Sequence, residues 1–310
     1  MCLAANPSID KLFEVERLVR GDIHRPAGFV EVAGGKGLNV ARSANALGAG
    51  VEAVALMRGH TGRWLVEMLQ AEGVAGAYVW THGENRASLS VADRETGGLT
   101  EFYERGADVP ASAWIELVDV VARTWTPGGW LTISGSMPRG APDDGYRELI
   151  VEARAAGVRA ALDAEGSRLR LALEAQPDVV KVNAAEAGEL LGVPTARRGE
   201  ALAAAEKLRA LAGGDGHAGI VTRGADGVVL AAPDGTLFEG TLYVRGRYPV
   251  GSGDAFLAGL VTALDRGTGW DEALRLALGA ATANAELPGA GRLDGARAVA
   301  LANEANVRIV

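Results

Sequence analysis

The segment at residues 251–254, Gly-Ser-Gly-Asp, carries the strongest chemical signal in this sequence. The residues after it are apolar almost throughout, which predicts a buried helix whose first turn opens into a cleft. The N–H groups of Gly251, Ser252 and Gly253, with the positive end of the helix dipole, form a predicted anion hole for phosphate. Asp254 would repel that phosphate unless it accepts the proton of an attacking hydroxyl, so it is the candidate general base. Asp is also a common helix cap, and the local sequence leaves both roles open.

A second glycine-rich segment, residues 32–42, surrounds Lys36. Its glycines let the backbone approach a ligand closely, and Asn39, one turn into the following helix, can hydrogen-bond hydroxyl groups. The segment is not a Walker A loop, because Gly37 rather than Ser or Thr follows the lysine. The first motif does not complete a dinucleotide fingerprint either, since Phe256 stands where the third glycine belongs. Both familiar phosphate motifs are therefore excluded.

The elements that position these motifs follow from hydrophobic periodicity. Short apolar runs predict buried strands at residues 51–57, 130–134, 159–163, 179–182 and 219–222. Longer amphipathic runs, each closed by a glycine, predict helices at residues 61–72, 143–156 and 200–212. This alternation favours an α/β fold with a mostly parallel sheet covered by helices on both faces.

Two stretches break the pattern, residues 11–31 and 86–104. Both alternate polar and apolar side chains without a helical period, which predicts a small half-exposed sheet lying off the main one. Such a sheet suits a lid over a ligand cleft or a homodimer contact through the lid. No Pro- or Ser-rich linker separates the stretches from the rest, so we predict one domain, residues 1–310, with an inserted lid.

Composition limits the class of protein. The 310 residues are 48% hydrophobic and 23% charged, as in ordinary globular proteins, and the net charge of −8 argues against nucleic-acid or membrane-surface partners. The one cysteine, Cys2, excludes a disulfide framework and a Cys-based zinc site. No apolar run approaches the roughly 18 residues of a membrane span, and no signal-peptide pattern begins the chain. A cytoplasmic protein is expected.

Taken together, the motifs resemble the phosphofructokinase-B (PfkB) sugar kinases of the ribokinase superfamily. The shared segments lie, in chain order, at residues 6–10, 34–39, 134–138, 181–186, 222–227 and 251–254. Six short motifs in this order are far more specific than any one of them. The Asn-Pro-Ser-Ile-Asp opening with Gly-Gly-Lys-Gly is most similar to the branch that contains 1-phosphofructokinase and tagatose-6-phosphate kinase. The resemblance implies a ribokinase-like three-layer α/β/α fold, ATP and Mg²⁺ as cofactors, and an acceptor that already carries a phosphate.

On the acceptor side, the resemblance implies contacts from one group of residues to the sugar. These residues are Asp10, Gly34, Gly35, Asn39 and Ser136. Lys36 and Arg86 are the predicted cations for the acceptor phosphate, with Arg105 and Lys11 behind them. Because Arg86 begins a lid strand, a solvated edge residue is the alternative.

On the nucleotide side, the resemblance implies a second group of residues around ATP. These are Lys181, Asn183, Thr222, Gly224 and Gly227. Asn183 and Glu186, three positions apart at a helix start, would organise Mg²⁺ through its waters. The alternatives are a helix cap followed by an ordinary exposed Glu, and a plain β-turn at residues 224–227.

Two positions depart from the family pattern. Ser252 replaces the more common Ala, and Glu165 replaces the usual Ser after Asp163, which adds a carboxylate near the expected cleft. The sequence therefore predicts ATP-dependent phosphoryl transfer to a hydroxyl of a sugar phosphate, fructose 1-phosphate or a related ketohexose phosphate. The alternatives are a kinase for an unphosphorylated sugar or nucleoside, and an inactive sugar or nucleotide sensor.

Overall fold

A computed structural model describes all 310 residues. The strands are, in chain order, β1 (Cys2–Ala4), β2 (Ser8–Val15), β3 (Gly28–Gly34), β4 (Glu52–Arg58), β5 (Ala75–Thr81), β6 (Arg86–Asp93), β7 (Leu99–Tyr103), β8 (Trp130–Ser134), β9 (Arg159–Asp163), β10 (Val179–Asn183), β11 (Ala218–Thr222), β12 (Val228–Ala231), β13 (Leu237–Thr241) and β14 (Asn306–Ile309).

The helices are α1 (Lys36–Ala46), α2 (Gly59–Ala71), α3 (Ala111–Thr124), α4 (Gly145–Ala155), α5 (Gly166–Leu173), α6 (Ala184–Leu191), α7 (Arg198–Leu211), α8 (Ser252–Asp265), α9 (Trp270–Glu286) and α10 (Gly295–Glu304). None of them is long and apolar enough to span a lipid bilayer.

The central sheet has ten strands in the order β14-β13-β12-β11-β10-β9-β8-β1-β4-β5. The seven strands from β11 to β5 run parallel, and β12, β13 and β14 add an antiparallel edge. Alternate residues of a strand face opposite sides, so Leu3 of β1 joins one core cluster while Cys2 and Ala4 join the other. Two cores on two faces make the predicted three-layer α/β/α arrangement, and the structure confirms it.

The predicted helices are present, but their starts differ from the sequence-based bounds. α2 begins at Gly59 rather than residue 61, because the Glu84 carboxylate accepts the N–H groups of His60 at 3.1 Å and Thr61 at 2.8 Å. A side chain 23 positions away from Thr61 thus accepts the free N–H groups of the first helical turn. No local sequence pattern reveals this long-range cap.

The smaller sheet has four strands in the order β3-β2-β6-β7, which we call the lid. Its first two strands extend beyond the predicted residues 11–31 at both ends, since Ser8 pairs with Gly34 and with Arg86. Strand β2 follows directly from β1, where the main chain leaves the central sheet. The lid is therefore anchored beside the carboxyl ends of the parallel strands.

Strand order reverses direction at β1, which has β4 on one side and β8 on the other. In open parallel sheets, ligands bind outside the carboxyl ends of the strands at such a switch point. Helix α8 points its N-terminus at this edge, and every residue from 254 to 264 is buried, between α1 and α9 among other neighbours. The fold thus places the Gly-Ser-Gly-Asp motif where a ligand is expected.

Candidate active site

A cleft of about 1430 Å³ lies between the carboxyl edge of the central sheet and the lid. Every predicted site residue except Gly34 lines it. Gly34 instead makes room for a neighbour, because a Cβ at this position would lie 2.0 Å from Asp10 Oδ2. The motifs that are scattered over the sequence therefore meet in one cavity.

The predicted anion hole forms at the start of α8, with two of its N–H groups open. Gly251 precedes the helix with a φ of 83°, a left-handed conformation that glycine adopts without strain. The N–H of Ser252 donates to the Pro249 carbonyl at 3.1 Å, and that of Asp254 donates to the Gly251 carbonyl at 3.1 Å. The N–H groups of Gly251 and Gly253 have no partner within the protein. The tight turn uses half of the amides of residues 251–254 internally and leaves the two glycine donors for an anion.

Asp254 lies at the cleft wall and is only 5% exposed. Its Oδ2 accepts a hydrogen bond from Asn39 Nδ2 at 2.8 Å, and no backbone N–H donates to the carboxylate, so it does not cap the helix. Burial, with repulsion from Asp163 second, raises its pKa to about 7. A buried carboxylate of this pKa suits proton transfer near neutral pH.

Asn39 is predicted from the sequence to bind sugar hydroxyls through its amide. In the structure its Nδ2 is already used by Asp254, and its buried Oδ1 has no hydrogen-bond partner. A buried acceptor without a partner is costly. Asn39 can therefore accept one hydrogen bond from a ligand hydroxyl while it orients the candidate base.

A buried carboxylate links two lysines beside the anion hole. Asp163, at the end of β9 and fully buried, contacts Lys181 Nζ through Oδ2 at 2.5 Å and Lys36 Nζ through Oδ1 at 3.2 Å. Burial alone would raise the pKa of Asp163, but Lys181 and Lys36 outweigh it and hold that pKa below its ordinary value. The Lys181 ammonium lies 3.0 Å from where a Cβ on Gly253 would stand, so positive charge adjoins the open N–H groups.

Lys36, the second cation predicted to bind the acceptor phosphate, is paired with carboxylates inside the cleft. Its ammonium contacts Asp163 and lies 3.9 Å from Glu186, at the ends of two central strands rather than at the lid. Attraction to Asp163 raises the pKa of Lys36 well above its ordinary value, which keeps it charged. The structure therefore groups Lys36 with Lys181 on the side of the anion hole.

Arg86 faces the cleft instead of lying at a solvated edge. Its Nε and Nη2 each donate to the Asn6 carbonyl at 3.3 Å, and Nη1 donates to Ser88 Oγ at 3.3 Å. The Asn6 side chain in turn donates to Ser136 Oγ at 3.1 Å. These partners are neutral and the guanidinium forms no salt bridge; burial lowers the pKa of Arg86, and attraction to the nearby Asp10 and Glu104 carboxylates opposes that shift.

The two cations predicted behind Arg86 fall in different places. Arg105 lines the cleft. Lys11 also borders the cleft, but its ammonium lies toward the opposite face of β2, where it pairs with Glu31 at 3.0 Å and lies 5.8 Å from the Trp64 ring. Because neighbouring residues of a strand face opposite sides, Asp10 and Lys11 cannot both face the same ligand.

Asp10 is held in a defined orientation on the cleft face of the lid. Its Oδ1 accepts from Ser8 Oγ at 2.6 Å and its Oδ2 accepts the N–H of Gly35 at 3.2 Å. Burial raises its pKa above the ordinary value despite these donors. A fixed carboxylate at a cavity wall is suited to accept hydrogen bonds from hydroxyl groups of a ligand.

Asn183 and Glu186 form a capping box at the start of α6. Asn183 Oδ1 accepts the N–H of Glu186 at 2.9 Å, and Glu186 Oε2 accepts the N–H of Asn183 at 2.8 Å. The helix cap named as an alternative is therefore present. The chain contains no cluster of three or more His, Cys, Asp or Glu side chains that could enclose a metal. The Glu186 carboxylate, which lines the cleft, fits a Mg²⁺ held mainly by phosphates and waters. Mg²⁺ is usually bound in this way at nucleotides.

Residues 222–228 form the turn of an antiparallel hairpin. Thr222 pairs with Val228, and a 3₁₀ turn at Gly224–Asp226 connects β11 to β12. The β-turn alternative is thus also present, and Thr222, Gly224 and Gly227 line the cleft with it. A turn of this kind brings backbone close to a flat ligand, so the two roles are compatible.

Three residues of the site are missing from the sequence-based set. Asp163 is the last residue of an apolar strand, as Asn183 is, and this position could have marked it as a site residue. Asn6 begins the Asn-Pro-Ser-Ile-Asp motif, but the motif alone does not reveal that its carbonyl and amide contact Arg86 and Ser136. Asn284 lies within α9, 30 positions after Asp254, and its partners are visible only in the folded chain.

Comparisons with known proteins identify the family and the fold. The sequence model of the pfkB family of carbohydrate kinases matches residues 4–294. A 1-phosphofructokinase of Haloferax volcanii is 31% identical over 277 residues, which are 89% of this chain and 87% of that protein. Phosphofructokinase-2 from Escherichia coli, in complex with substrates and products, superposes with a TM-score of 0.90 at 24% identity and 97% coverage of both chains. A ribokinase from Arabidopsis thaliana, complexed with ribose and ATP, superposes with a TM-score of 0.75 at 20% identity and 97% coverage of both chains. The two solved structures confirm the ribokinase-like fold.

Proposed function

This chain belongs to the pfkB family of carbohydrate kinases, and we propose that it transfers the γ-phosphoryl group of ATP to a hydroxyl of a sugar phosphate, fructose 1-phosphate or a related ketohexose phosphate. One observation carries the proposal. Asp254, a buried carboxylate with a raised pKa, lies at the first turn of α8 beside the open N–H groups of Gly251 and Gly253. A base and an anion hole side by side are what phosphoryl transfer to an alcohol requires.

In the proposed reaction, Asp254 takes the proton of the acceptor hydroxyl as that oxygen attacks the γ-phosphorus. The bond between the γ-phosphorus and the β,γ-bridging oxygen breaks, and ADP leaves with the bonding pair. Asn39 orients the carboxylate through its 2.8 Å hydrogen bond, so the oxygen without a protein partner is available to the hydroxyl. The base contributes an expected acceleration of about 10²–10⁴-fold.

The charge of the transferred group is stabilised by donors already in place. The Gly251 and Gly253 N–H groups and the positive end of α8 lie next to the Lys181 ammonium, and Lys36 is held nearby by the same Asp163 carboxylate. Preorganised donors in a site that excludes water cost no reorganisation during the reaction. Kinases of this family use ATP with a divalent metal; Glu186 and Asn183 would hold Mg²⁺ through water, where it would screen the phosphate charges.

The acceptor is proposed to carry a phosphate because of Arg86. Its guanidinium lines the lid side of the cleft and contacts only neutral oxygens, and Arg105 lies in the same cavity. An unpaired cation pointing into a cleft favours an anionic ligand. Asp10, the Gly35 backbone, Asn39 Oδ1 and Ser136 would bind the sugar hydroxyls. The name of the Haloferax volcanii relative supports the same acceptor class.

We propose further that the lid forms a homodimer contact. Phe29 and Phe102 are 56% and 59% exposed, and the register of β2, β3, β6 and β7 places both on one face. A form of E. coli phosphofructokinase-2 is tetrameric. Sedimentation at micromolar concentration tests the proposal: the parent chain should sediment as a dimer and the Phe102→Glu variant as a monomer. A Phe102→Glu variant that sediments like the parent chain contradicts the proposal.

An acceptor panel tests the function. ADP release is followed with ATP, Mg²⁺ and, in turn, fructose 1-phosphate, fructose 6-phosphate, tagatose 6-phosphate, fructose, ribose and adenosine. We expect kcat/KM to be highest with a ketohexose phosphate. Turnover confined to an unphosphorylated sugar or nucleoside overturns the acceptor assignment, and no turnover with any compound leaves the sensor alternative in its place.

A further inference from the structure

The buried side-chain amide of Asn284 supports the anion hole from the side away from the cleft. Asn284 of α9 is completely buried. Its Nδ2 donates to the Val250 carbonyl at 2.9 Å, directly before Gly251, and to Ser252 Oγ at 3.3 Å. Its Oδ1 accepts the N–H of Gly291 at 2.8 Å. One side chain therefore joins residues 249–251, which we call the anion-hole loop, to a second loop, residues 288–291.

The second loop packs directly against Gly251 of the anion hole. A Cβ on Gly251 would lie 2.6 Å from the Gly291 nitrogen and 2.8 Å from Ala290 Cα, so two backbones are in contact. Any displacement of residues 289–291 therefore moves Gly251 or opens a gap beside it. The position of the Gly251 N–H depends on how firmly this loop is held.

Helix α1 holds the same loop through two buried side chains. Arg42 Nη1 donates to the Ala290 carbonyl at 2.7 Å and to the Ala33 carbonyl at 3.1 Å, and Ser43 Oγ donates to the Gly291 carbonyl at 3.2 Å. The rest of the guanidinium is paired with the Glu72 carboxylate, at 2.7 and 2.8 Å. A buried charge with four of its five N–H groups bonded resists movement, because movement would break several charge-assisted bonds at once.

We propose that Asn284 is a positioning residue for phosphoryl transfer. By joining Val250 to Gly291 it keeps the Gly251 and Gly253 N–H groups directed into the cleft, on a support that Arg42 and Ser43 fix to α1. The inference rests on the proposed function, because it assigns those N–H groups to the transferred phosphoryl group. A polar side chain among the alanines of α9 is otherwise unfavourable, since a buried amide contributes only when its partners are exact in position.

The variant Asn284→Ala removes all three side-chain hydrogen bonds and leaves the Val250 carbonyl and the Gly291 N–H unpaired. We expect kcat to fall about 10²-fold, because a displacement of catalytic donors by about 1 Å has that effect. KM for ATP and for the sugar phosphate should stay within about threefold, since the lost interaction matters mainly in the transition state. Asn284→Asp keeps the acceptor for Gly291 and loses the donor to Val250, so its kcat should also fall.

Leu117→Ala is the control for a loss of stability alone, because Leu117 is buried in α3 against the opposite face of the sheet. All assays are run well below the lowest melting temperature of the set. The inference is overturned if folded Asn284→Ala or Asn284→Asp keeps the parent kcat, or if Leu117→Ala loses as much kcat as Asn284→Ala.

A second measurement does not depend on activity. Hydrogen–deuterium exchange should rise in peptides that cover residues 249–254 of Asn284→Ala and remain unchanged there in Leu117→Ala. Unchanged exchange in Asn284→Ala overturns the inference whatever the kinetics are. An inactive parent chain with the expected exchange pattern would instead count against the proposed function and leave the structural role of Asn284 standing.

Discussion

At the scale of single residues, the site works through carboxylates in contrasting surroundings. Asp163 is paired with two lysines and keeps its charge, whereas Asp254 has only the neutral Asn39 as a hydrogen-bond partner. Burial therefore dominates at Asp254 and raises its pKa to about 7. The negative charge of Asp163 adds to that rise. The same cleft thus contains an anchor for cations and a base that can exchange a proton near neutral pH.

Replacing the base tests its role directly. Asp254→Asn keeps the size of the side chain and an oxygen for Asn39, but it cannot take up a proton. We expect kcat to fall about 10²–10⁴-fold. ATP binding, measured by calorimetry, should be retained. Turnover close to that of the parent chain would remove Asp254 from the mechanism.

The pH dependence of activity and stability follows from the same carboxyl. Only the ionised form can act as a base, so kcat/KM should rise as pH increases through about 7 and level off above it. Stability changes in the opposite direction. The folded-state pKa lies above the ordinary value of 3.8, so the folded protein binds the extra proton and loses stability as pH rises from about 4 to 7. A flat pH–rate profile between about pH 5 and 9 would contradict this assignment.

Under the proposed function, Arg86 would bind the phosphate of the acceptor, so its replacement tests the proposed acceptor class. Arg86→Ala should raise KM for the sugar phosphate roughly 10- to 100-fold, the equivalent of a charge-assisted bond of about 1.5–3 kcal/mol. KM for ATP should not change. Arg17→Ala is the matched control, since Arg17 lies in the loop after lid strand β2, is paired with Glu95 at 3.8 Å and is outside the cleft. Equal KM values in the two variants would show that Arg86 does not bind the acceptor phosphate.

At the scale of elements, the lid is tied to the segment that leads into α8. The Tyr248 hydroxyl donates to the Glu14 carboxylate of β2, and Arg94 Nη2 lies 3.1 Å from the same carboxylate. This hydrogen bond, with burial second, raises the pKa of Tyr248. Tyr248 is three positions before Gly251, so the lid and the anion-hole loop are joined by one contact.

Removing that contact should loosen the lid without touching the reacting groups. Tyr248→Phe is expected to lower the free energy of unfolding by about 1–2 kcal/mol, measured by urea denaturation, and to speed hydrogen exchange in β2. Tyr103→Phe is the control, because the Tyr103 hydroxyl donates to Glu101 of the same strand at 2.5 Å and ties no two elements together. Unchanged exchange in β2 of Tyr248→Phe would show that the contact does not restrain the lid.

At the scale of the whole molecule, a chain of net charge −8 builds a local positive site for anions. Lys36 from α1, Lys181 from β10 and Arg86 from the lid converge on one cleft, and their charges act at short range. Because the cleft lies between two sheets, a ligand that bridges them should stabilise both.

Ligand-linked stability measures this effect. A ketohexose phosphate at 100 times its Kd should stabilise the protein by about 2.7 kcal/mol, seen as a rise in Tm. The rise should be much smaller for Arg86→Ala at the same concentration. If no sugar phosphate raises the Tm of the parent chain, the acceptor site is assigned to the wrong class of ligand.

The parallel α/β core, the lid strands, and the position of Asp254 and its glycines at a helix start could all be predicted from the residue pattern. These features depend on hydrophobic period, turn residues and helix ends, which are local properties of the chain. The pairing of the cleft lysines with Asp163 and the support of the anion hole became visible only in the folded chain. Lys36 meets Asp163 across 127 positions, and Asn284 meets Val250 across 34. Such contacts depend on how distant elements pack against each other, and no local pattern encodes that packing.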